Sequence, residues 1–226
     1  MLRTRRNALG WTQQKAAAEL GVSQSYLAML EGGQRRLTRQ LARRCVEVMG
    51  ASPVMLPARP PEELGAVPQD LAEALGALGY PGFAYFQMRR RKRNPAEVLL
   101  QALAISELEA RLVEALPWLL ARYWEMDDSW LVSQAKAGDL QNRLGFVCSL
   151  ARELALQCEP SNTQQVAALK ELEEALEPAR LAREDTFGRK PESPAEWDWV
   201  RTNRSETAKH WNLLTLWRTE DLHFEA

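Results

Sequence analysis

A short helix, a glycine turn and a second short helix are predicted between residues 12 and 31, and this pattern constrains the fold more than any other. Thr12 is a good N-cap, so the first helix starts directly after it. Gly21 stands where a helix ends in a left-handed residue, which is easiest without a Cβ. Ser23 is a second N-cap, and the next helix runs from Gln24 to about Glu31. A three-residue turn that contains glycine lets two such helices cross steeply over a shared core.

The remaining sequence is also dominated by helix signals, and the fold class predicted is all-α. We divide the chain into three parts by composition. Residues 1–50 form a helical domain, and residues 51–93 form a proline-rich linker with a short helix and a basic run. Residues 94–226 form a larger, acidic and tryptophan-rich domain with amphipathic helices, suited to dimerisation or partner binding.

Local signals refine this division. The short helix of the linker is expected at residues 70–78, and residues 83–88 are the best candidate for a strand. A polar residue with a carboxylate three positions later predicts the start of a helix. This pattern occurs in the C-terminal part at Asn94, Ser106 and Ser193.

Residues 2–50 resemble the lambda-repressor-like, Cro-type (XRE) family of helix-turn-helix regulators. The outer helices are expected at Leu2–Leu9 and Thr38–Met49. Four features occur in the family's order: Gln13 after an N-cap, the small Ala17, Gly21 in the turn, and Leu30-Glu31 before a glycine-rich loop with basic residues. The resemblance implies double-stranded DNA as the partner and does not cover residues 51–226.

The same resemblance implies a docking mode in which the second helix of the pair lies in the major groove. The implied base contacts are Gln24 and Ser25 in its first turn, with Ala28 and Met29 one turn later. The implied phosphate contacts are Gln13, Tyr26, Arg35, Arg36 and Arg39. Tyr26 is equally well interpreted as a packing residue, and Arg43 and Arg44 are expected to be solvated charges rather than contacts.

Charge is distributed unevenly although the net charge is only −1. Residues 1–93 carry 15 basic and 7 acidic side chains, whereas the remaining residues carry 14 and 23. This polarity is typical of a part that faces nucleic acid joined to a part that does not. Five consecutive cations, Arg89, Arg90, Arg91, Lys92 and Arg93, could form a DNA-binding arm, neutralise the acidic C-terminal domain across an interface or remain a solvated tether. The aromatic residues just before them are expected to anchor to a protein core.

Other function classes lack their sequence signals. Three cysteines without CxxC spacing and two histidines leave a metal site short of ligands, so neither metal nor cofactor is expected. No nucleophile, zinc-hydrolase, phosphate-loop or dinucleotide motif is present, and His210 has no catalytic partner, so we do not expect an enzyme. No segment predicts a secretion signal or membrane span, which indicates a cytoplasmic protein with no membrane contact.

These patterns predict a transcriptional regulator, most simply a repressor that binds a palindromic operator as a homodimer. Two alternatives share the same DNA-binding domain. In an antitoxin-like protein, the C-terminal domain would neutralise a second protein while the N-terminal domain autorepresses. In a ligand-sensing regulator, the helical domain would bind a small molecule.

Overall fold

A computed structural model describes residues 2–60, 68–86, 91–157 and 162–222 of the chain. The chain divides into two compact units, unit 1 over Met1–Ala58 and unit 2 over Arg59–Ala226. The segment that we predict as a linker is therefore divided between them. Residues 51–58 belong to unit 1, and residues 59–93 belong to unit 2. The described chain is mostly α-helical, as predicted.

Unit 1 consists of four short helices and a single 3-10 turn. The elements are α1 (Leu2–Ala8), α2 (Gln13–Leu20), α3 (Gln24–Glu31), α4 (Arg39–Met49) and the turn Pro53–Met55. The predicted caps are confirmed, because the Thr12 and Ser23 side chains accept the amides of Lys15 and Tyr26 at 3.1 and 3.2 Å. Gly21 has a φ of 67°, the left-handed conformation expected at the end of α2.

The core of unit 1 lies where α2, α3 and α4 meet, and arginines close two of the helix ends. Its fully buried members include Ala16, Leu20, Leu27, Cys45 and Met49. Arg44 donates to the carbonyl of Glu19 at 2.9 Å, and Arg5 donates to that of Met49 at 2.7 Å. Arg44 is exposed, in keeping with a solvated charge, and its guanidinium also satisfies a carbonyl that the end of α2 leaves unpaired.

Unit 2 contains the remaining helices and a pair of very short strands. Its elements are α5 (Pro68–Leu78), α6 (Pro95–Leu103), α7 (Ala110–Arg122), α8 (Asp128–Ala137), α9 (Gln141–Gln157), α10 (Thr163–Leu176), β1 (Asp185–Thr186), α11 (Pro194–Asn203), α12 (Glu206–His210) and β2 (Leu213–Leu214). Among its described residues there are also three 3-10 turns, at Pro81–Phe86, Glu177–Ala179 and Thr219–Asp221. The strands pair in parallel, with Asp185 opposite Leu213.

Helix α9 is the centre of unit 2 and packs against α6, α7, α8, α10 and α12. Every residue of α9 from position 141 to 151 is buried, as is every residue of α6. Our expectation of amphipathic C-terminal helices is therefore wrong for these two. Several of their polar residues are paired inside the protein: Arg143, for example, donates to Asp185 and to the carbonyls of Leu103 and Ile105.

Two further local expectations are wrong, and one is confirmed. Residues 83–86 belong to a 3-10 turn rather than a strand, while residues 87 and 88 lie outside the described residues. Ser106 does not cap a helix, since α7 starts only at Ala110 and the amide of Leu108 donates to the carbonyl of Gly188 instead. The aromatic anchoring is confirmed for Tyr80, which is buried with its ring centroid 5.3 Å from that of Trp118, and it is wrong for Tyr85, which is 63% exposed.

The packing of α9 against Trp211 leads to a stability prediction. A Cβ on Gly145 would lie 2.5 Å from two atoms of the Trp211 ring. Replacing glycine by alanine inside a helix ordinarily gains about 1 kcal/mol, but overpacking a buried site costs about 1–3 kcal/mol. We expect Gly145→Ala to lower the free energy of unfolding of unit 2, measured by urea denaturation with tryptophan fluorescence.

Gly138→Ala is the matched control. A Cβ on Gly138, at the end of α8, would meet its nearest neighbour at an ordinary 3.4 Å. We expect a change within about 0.5 kcal/mol. A Gly145→Ala protein as stable as the wild type would contradict the close packing of α9 on Trp211.

Candidate nucleic-acid interface

Helix α3 presents a polar N-terminal half to solvent and an apolar side to the core. Gln24, Ser25 and Ala28 are exposed, while Leu27 and Leu30 are buried against α1, α2 and α4. Of the predicted contact residues on α3, Tyr26 and Met29 are half-buried, and Tyr26 packs against the core. Gln24 and Ser25 are therefore the polar side chains of α3 best placed to reach another molecule.

The arginines predicted to contact phosphate follow α3 directly. The chain leaves the helix through Gly33, whose φ of 71° favours glycine, and enters α4 after the Thr38 N-cap. Arg35, Arg36 and Arg39 are all exposed along this connection and the first turn of α4. The structure therefore places three cations next in the chain to the polar side of α3.

A nearly buried carboxylate at the end of α3 connects three helices. Glu31 has a side chain only 3% exposed, and it receives two hydrogen bonds from Arg6 of α1, at 2.6 and 3.0 Å. Gln13 of α2 donates to the same carboxylate at 2.9 Å. Arg6 also donates to the carbonyl of Trp11 at 2.8 Å, so the pair fixes the entry to α2 as well. The fork-shaped contact of Arg6 fixes direction as well as distance.

These contacts shift the protonation of both partners. Hydrogen bonds from Arg6 lower the pKa of Glu31, against the opposing effect of burial, and Gln13 adds to the lowering. The same pairing raises the pKa of Arg6 above its ordinary value. Glu31 is thus ionised at every pH at which an ordinary glutamate is ionised. The ion pair between Arg6 of α1 and Glu31 of α3 persists over that pH range.

Gln13 is at the first position of α2, as the docking mode requires, but its side-chain amide also donates to Glu31. The first backbone amides of α2 have no acceptor within the helix. The amide of Lys15 donates to the side chain of the N-cap Thr12 instead. A phosphate contact at Gln13 would therefore use a backbone amide as well as the remaining amide hydrogen of the side chain, and it stays a prediction.

Residues 2–56 match the helix-turn-helix family HTH_3. This segment is a helix-turn-helix domain. It has the four helices and the turn predicted from the sequence, and it lies wholly within unit 1. The match supports a DNA-binding transcription regulator. No curated protein and no solved structure matches the chain.

The charge of the helix-turn-helix domain suits that role. Residues 1–58 carry nine basic and three acidic side chains. Arg5, Arg6 and Arg44 are engaged with carbonyls or with Glu31. The predicted phosphate contacts Arg35, Arg36 and Arg39 remain on the surface of the domain.

The basic run before α6 is only partly described. Arg89 and Arg90 lie outside the described residues, and Arg91 and Lys92 are exposed. Arg93 pairs with Glu97 at 2.6 Å and donates to Gln101 at 2.7 Å. This pair is local, between residues four positions apart, so the three interpretations of the run stay predictions.

Sequence reasoning missed Arg6 and treated Glu31 only as the end of a helix. The signal was present in α1, where Leu2, Arg6 and Leu9 recur at spacings of four and three. An arginine within such a stripe points toward the core, where it requires an anionic partner.

Two other potentially reactive side chains of the described residues, His210 and Cys45, are held by neighbouring residues or buried in the core. His210 Nε2 lies 2.8 Å from Glu177, and Arg180 contacts Nδ1 at 3.1 Å. Burial raises the pKa of the Cys45 thiol to about 11, which disfavours the nucleophilic thiolate. Within the described ranges, no group of three His, Cys, Asp or Glu side chains could hold a metal ion, and no helix is long and apolar enough to cross a membrane.

The Glu31 contacts predict a pH-dependent stabilisation of α3. Because its pKa is lower in the folded protein, Glu31 stabilises unit 1 above the ordinary glutamate pKa, and this contribution is lost as pH falls through the lowered value. We expect Glu31→Gln to speed amide hydrogen exchange in α1 and α3 at pH 7, measured by mass spectrometry. The difference from wild type should shrink toward acidic pH.

Glu19→Gln, at an exposed position of α2, is the control and should leave exchange in α1 and α3 unchanged at pH 7. Equal exchange rates in Glu31→Gln and the wild type would show that the carboxylate does not hold α3.

Proposed function

We propose that this protein is a transcriptional repressor that acts in the cytoplasm and binds a palindromic operator as a homodimer, without catalytic activity. One observation carries the proposal. The helix-turn-helix domain exposes Gln24 and Ser25 on α3 and follows them with three exposed arginines. This is the combination of base-reading and phosphate-binding side chains that sequence-specific binding requires.

The roles of the side chains follow from their chemistry. The Gln24 amide can pair with both polar atoms of an adenine edge in the major groove, and the Ser25 hydroxyl can donate or accept. Ala28, one turn later, offers an apolar contact suited to a thymine methyl group, and the half-buried Met29 extends it. Arg35, Arg36 and Arg39 would hold phosphates on the flanking backbone and set the register of α3.

Dimerisation follows from the small size of the domain. A single DNA-binding module of this kind buries a limited area, and two copies on half-sites one helical turn apart give both affinity and discrimination. Unit 2 supplies the greater part of the chain and is our candidate for the dimer contact. A repressor then acts simply by occupying its operator.

Base reading by α3 is the first test of the proposal. Fragmented genomic DNA from the source is captured on the purified protein at physiological salt, and the recovered palindrome is compared with a shuffled duplex. We expect Gln24→Ala with Ser25→Ala to reduce the preference for the palindrome about tenfold or more, since one bidentate base contact contributes about 1–3 kcal/mol. Affinity for the shuffled duplex should remain almost constant.

Gln40→Ala, an exposed glutamine on α4, is the control for this substitution. It should keep the full preference for the palindrome. If the double variant also keeps it, α3 does not read the bases, and uniform recovery of all fragments would overturn sequence-specific binding altogether.

Phosphate contacts are tested by the dependence of affinity on salt. Each phosphate contact contributes a slope of about 0.9 in log affinity against log salt concentration. Since each of the two protomers contributes three arginines, we expect Arg35→Gln, Arg36→Gln and Arg39→Gln together to lower the magnitude of that slope by about 5 on the palindrome. Arg183→Gln, which removes an exposed arginine of unit 2, should leave it unchanged. An unaltered slope in the triple variant would remove these arginines from the interface.

A ligand-sensing regulator is the second candidate, and one cavity favours it. Unit 2 contains a cavity of about 460 Å³ lined by Phe187, Val200, Leu214, Leu216 and Trp217, with polar groups around them. This volume falls in the range of small-molecule sites. A compound that raises the melting temperature and also changes operator affinity would favour this candidate, whereas a second protein recovered with a neutralised toxic activity would favour an antitoxin-like role.

A further inference from the structure

The cavity of unit 2 lies beside the segments that follow its two short strands. Because β1 and β2 pair in parallel, both strands end at the same edge. Phe187 directly follows β1, Thr215 directly follows β2, and both side chains line the cavity. Helix α11 contributes Val200 to the lining, and the last 3-10 turn of unit 2 contributes Asp221. Four segments of the chain therefore enclose one space of about 460 Å³.

Most of the side chains that line this cavity are apolar, and two of them are aromatic. Phe187, Val200 and Leu214 are at most 5% exposed, and Trp217 is half-buried. Small-molecule sites combine such walls with a few polar groups that fix the orientation of the ligand. The lining therefore suits a ligand with an apolar ring.

Two hydrogen-bond donors of the lining are left without an acceptor. The Thr215 hydroxyl, in a residue only 4% exposed, accepts the backbone amide of Trp217 at 3.4 Å. Among the described residues, nothing accepts the hydrogen of this hydroxyl or the indole N–H of Trp217. A nearly buried donor without a protein partner favours a ligand that brings an oxygen acceptor.

The charged groups of the lining leave one carboxylate without a cation. Arg189 already pairs with Glu192 at 2.9 Å and lies 4.0 Å from Glu196. Asp221 accepts the backbone amide of Arg218 at 3.0 Å, while the guanidinium of Arg218 donates to a backbone carbonyl elsewhere. Over the part of the chain that the structure describes, no ammonium or guanidinium group pairs with Asp221. An ammonium group in the cavity would therefore have Asp221 as its partner.

We infer that this cavity binds a small organic ammonium compound that carries an apolar ring and an oxygen acceptor. The ring would pack against Phe187 and Trp217, the oxygen would accept from Thr215, and the ammonium group would pair with Asp221. Aromatic walls also attract a cation electrostatically, whereas an anion of the same shape would meet the charge of Asp221. The inference rests on the ligand-sensing candidate and names its class of ligand.

The inference is tested by calorimetric titration of the full-length protein with two matched probes at equal ionic strength. Phenylethanolamine and mandelate share a phenyl ring and a hydroxyl, but the first carries an ammonium group and the second a carboxylate. We expect phenylethanolamine to bind and to raise the melting temperature, and mandelate to bind at least about tenfold more weakly. Equal affinities, or no binding of phenylethanolamine at millimolar concentration, would overturn the inference.

Asp221→Asn removes the charge from the site and keeps its fold, because the asparagine oxygen can still accept the amide of Arg218. We expect this variant to bind phenylethanolamine about fivefold more weakly. The matched control Glu220→Gln removes the neighbouring exposed carboxylate, which lies outside the lining, and should keep the wild-type affinity. Equal losses in the two variants would overturn the inference, since they would reduce binding to a general attraction of cations by an acidic unit.

Nuclear magnetic resonance locates the bound probe. Each tryptophan gives one indole N–H signal, and Trp217→Phe identifies the signal of Trp217. We expect phenylethanolamine to shift this signal and to leave that of Trp211 constant, because Trp211 is 1% exposed and donates to Ser149. An unshifted Trp217 signal would overturn the inference.

Neither measurement uses DNA, so the inference and the proposed function fail separately. If the protein binds no operator, the proposed repressor fails and the cavity is still tested by the two probes. If phenylethanolamine binds at Trp217 but leaves operator affinity unchanged, the binding site stands and the ligand-sensing role is overturned.

Discussion

Pairing of a buried or nearly buried arginine with a carboxylate is the interaction on which both units depend. In unit 1, Arg6 reaches Glu31 and so joins α1 to the end of α3. In unit 2, Arg143 reaches Asp185 from within the buried helix α9. Withdrawing a carboxylate or guanidinium from water costs several kcal/mol, so such a pair adds little net stability over an apolar replacement. It adds direction, because the forked contact requires a particular orientation of the two elements that it joins.

The same pairing changes how the basic character of the chain should be understood. A count of charges assigns the excess in residues 1–93 to a nucleic-acid surface. Arg5, Arg6 and Arg44 are instead used within the helix-turn-helix domain, and Arg59 and Arg93 are used at Glu97. What remains for DNA in unit 1 is a smaller set concentrated after α3. The position of these arginines directly after α3 in the chain matters more than their number.

Sequence reasoning succeeded where the determinants are local. The Thr12 and Ser23 caps and the left-handed Gly21 depend on neighbouring residues, and the structure has them as predicted. It failed where a polar residue is satisfied by a distant partner. Arg143 meets residues about 40 positions away, so its helix resembles a surface helix in sequence although it is buried. The β1–β2 pair escaped for the same reason, since two-residue strands carry no periodic signal.

Recognition by a domain of this kind needs more than its base contacts. One bidentate contact supplies about 1–3 kcal/mol of discrimination, while specific binding exceeds non-specific binding by about 4–10 kcal/mol. Gln24 is the one side chain of α3 suited to such a contact, with Ser25 adding a weaker one, so a single half-site falls short of that difference. In the proposed homodimer, a second copy on a second half-site would supply the rest of that difference.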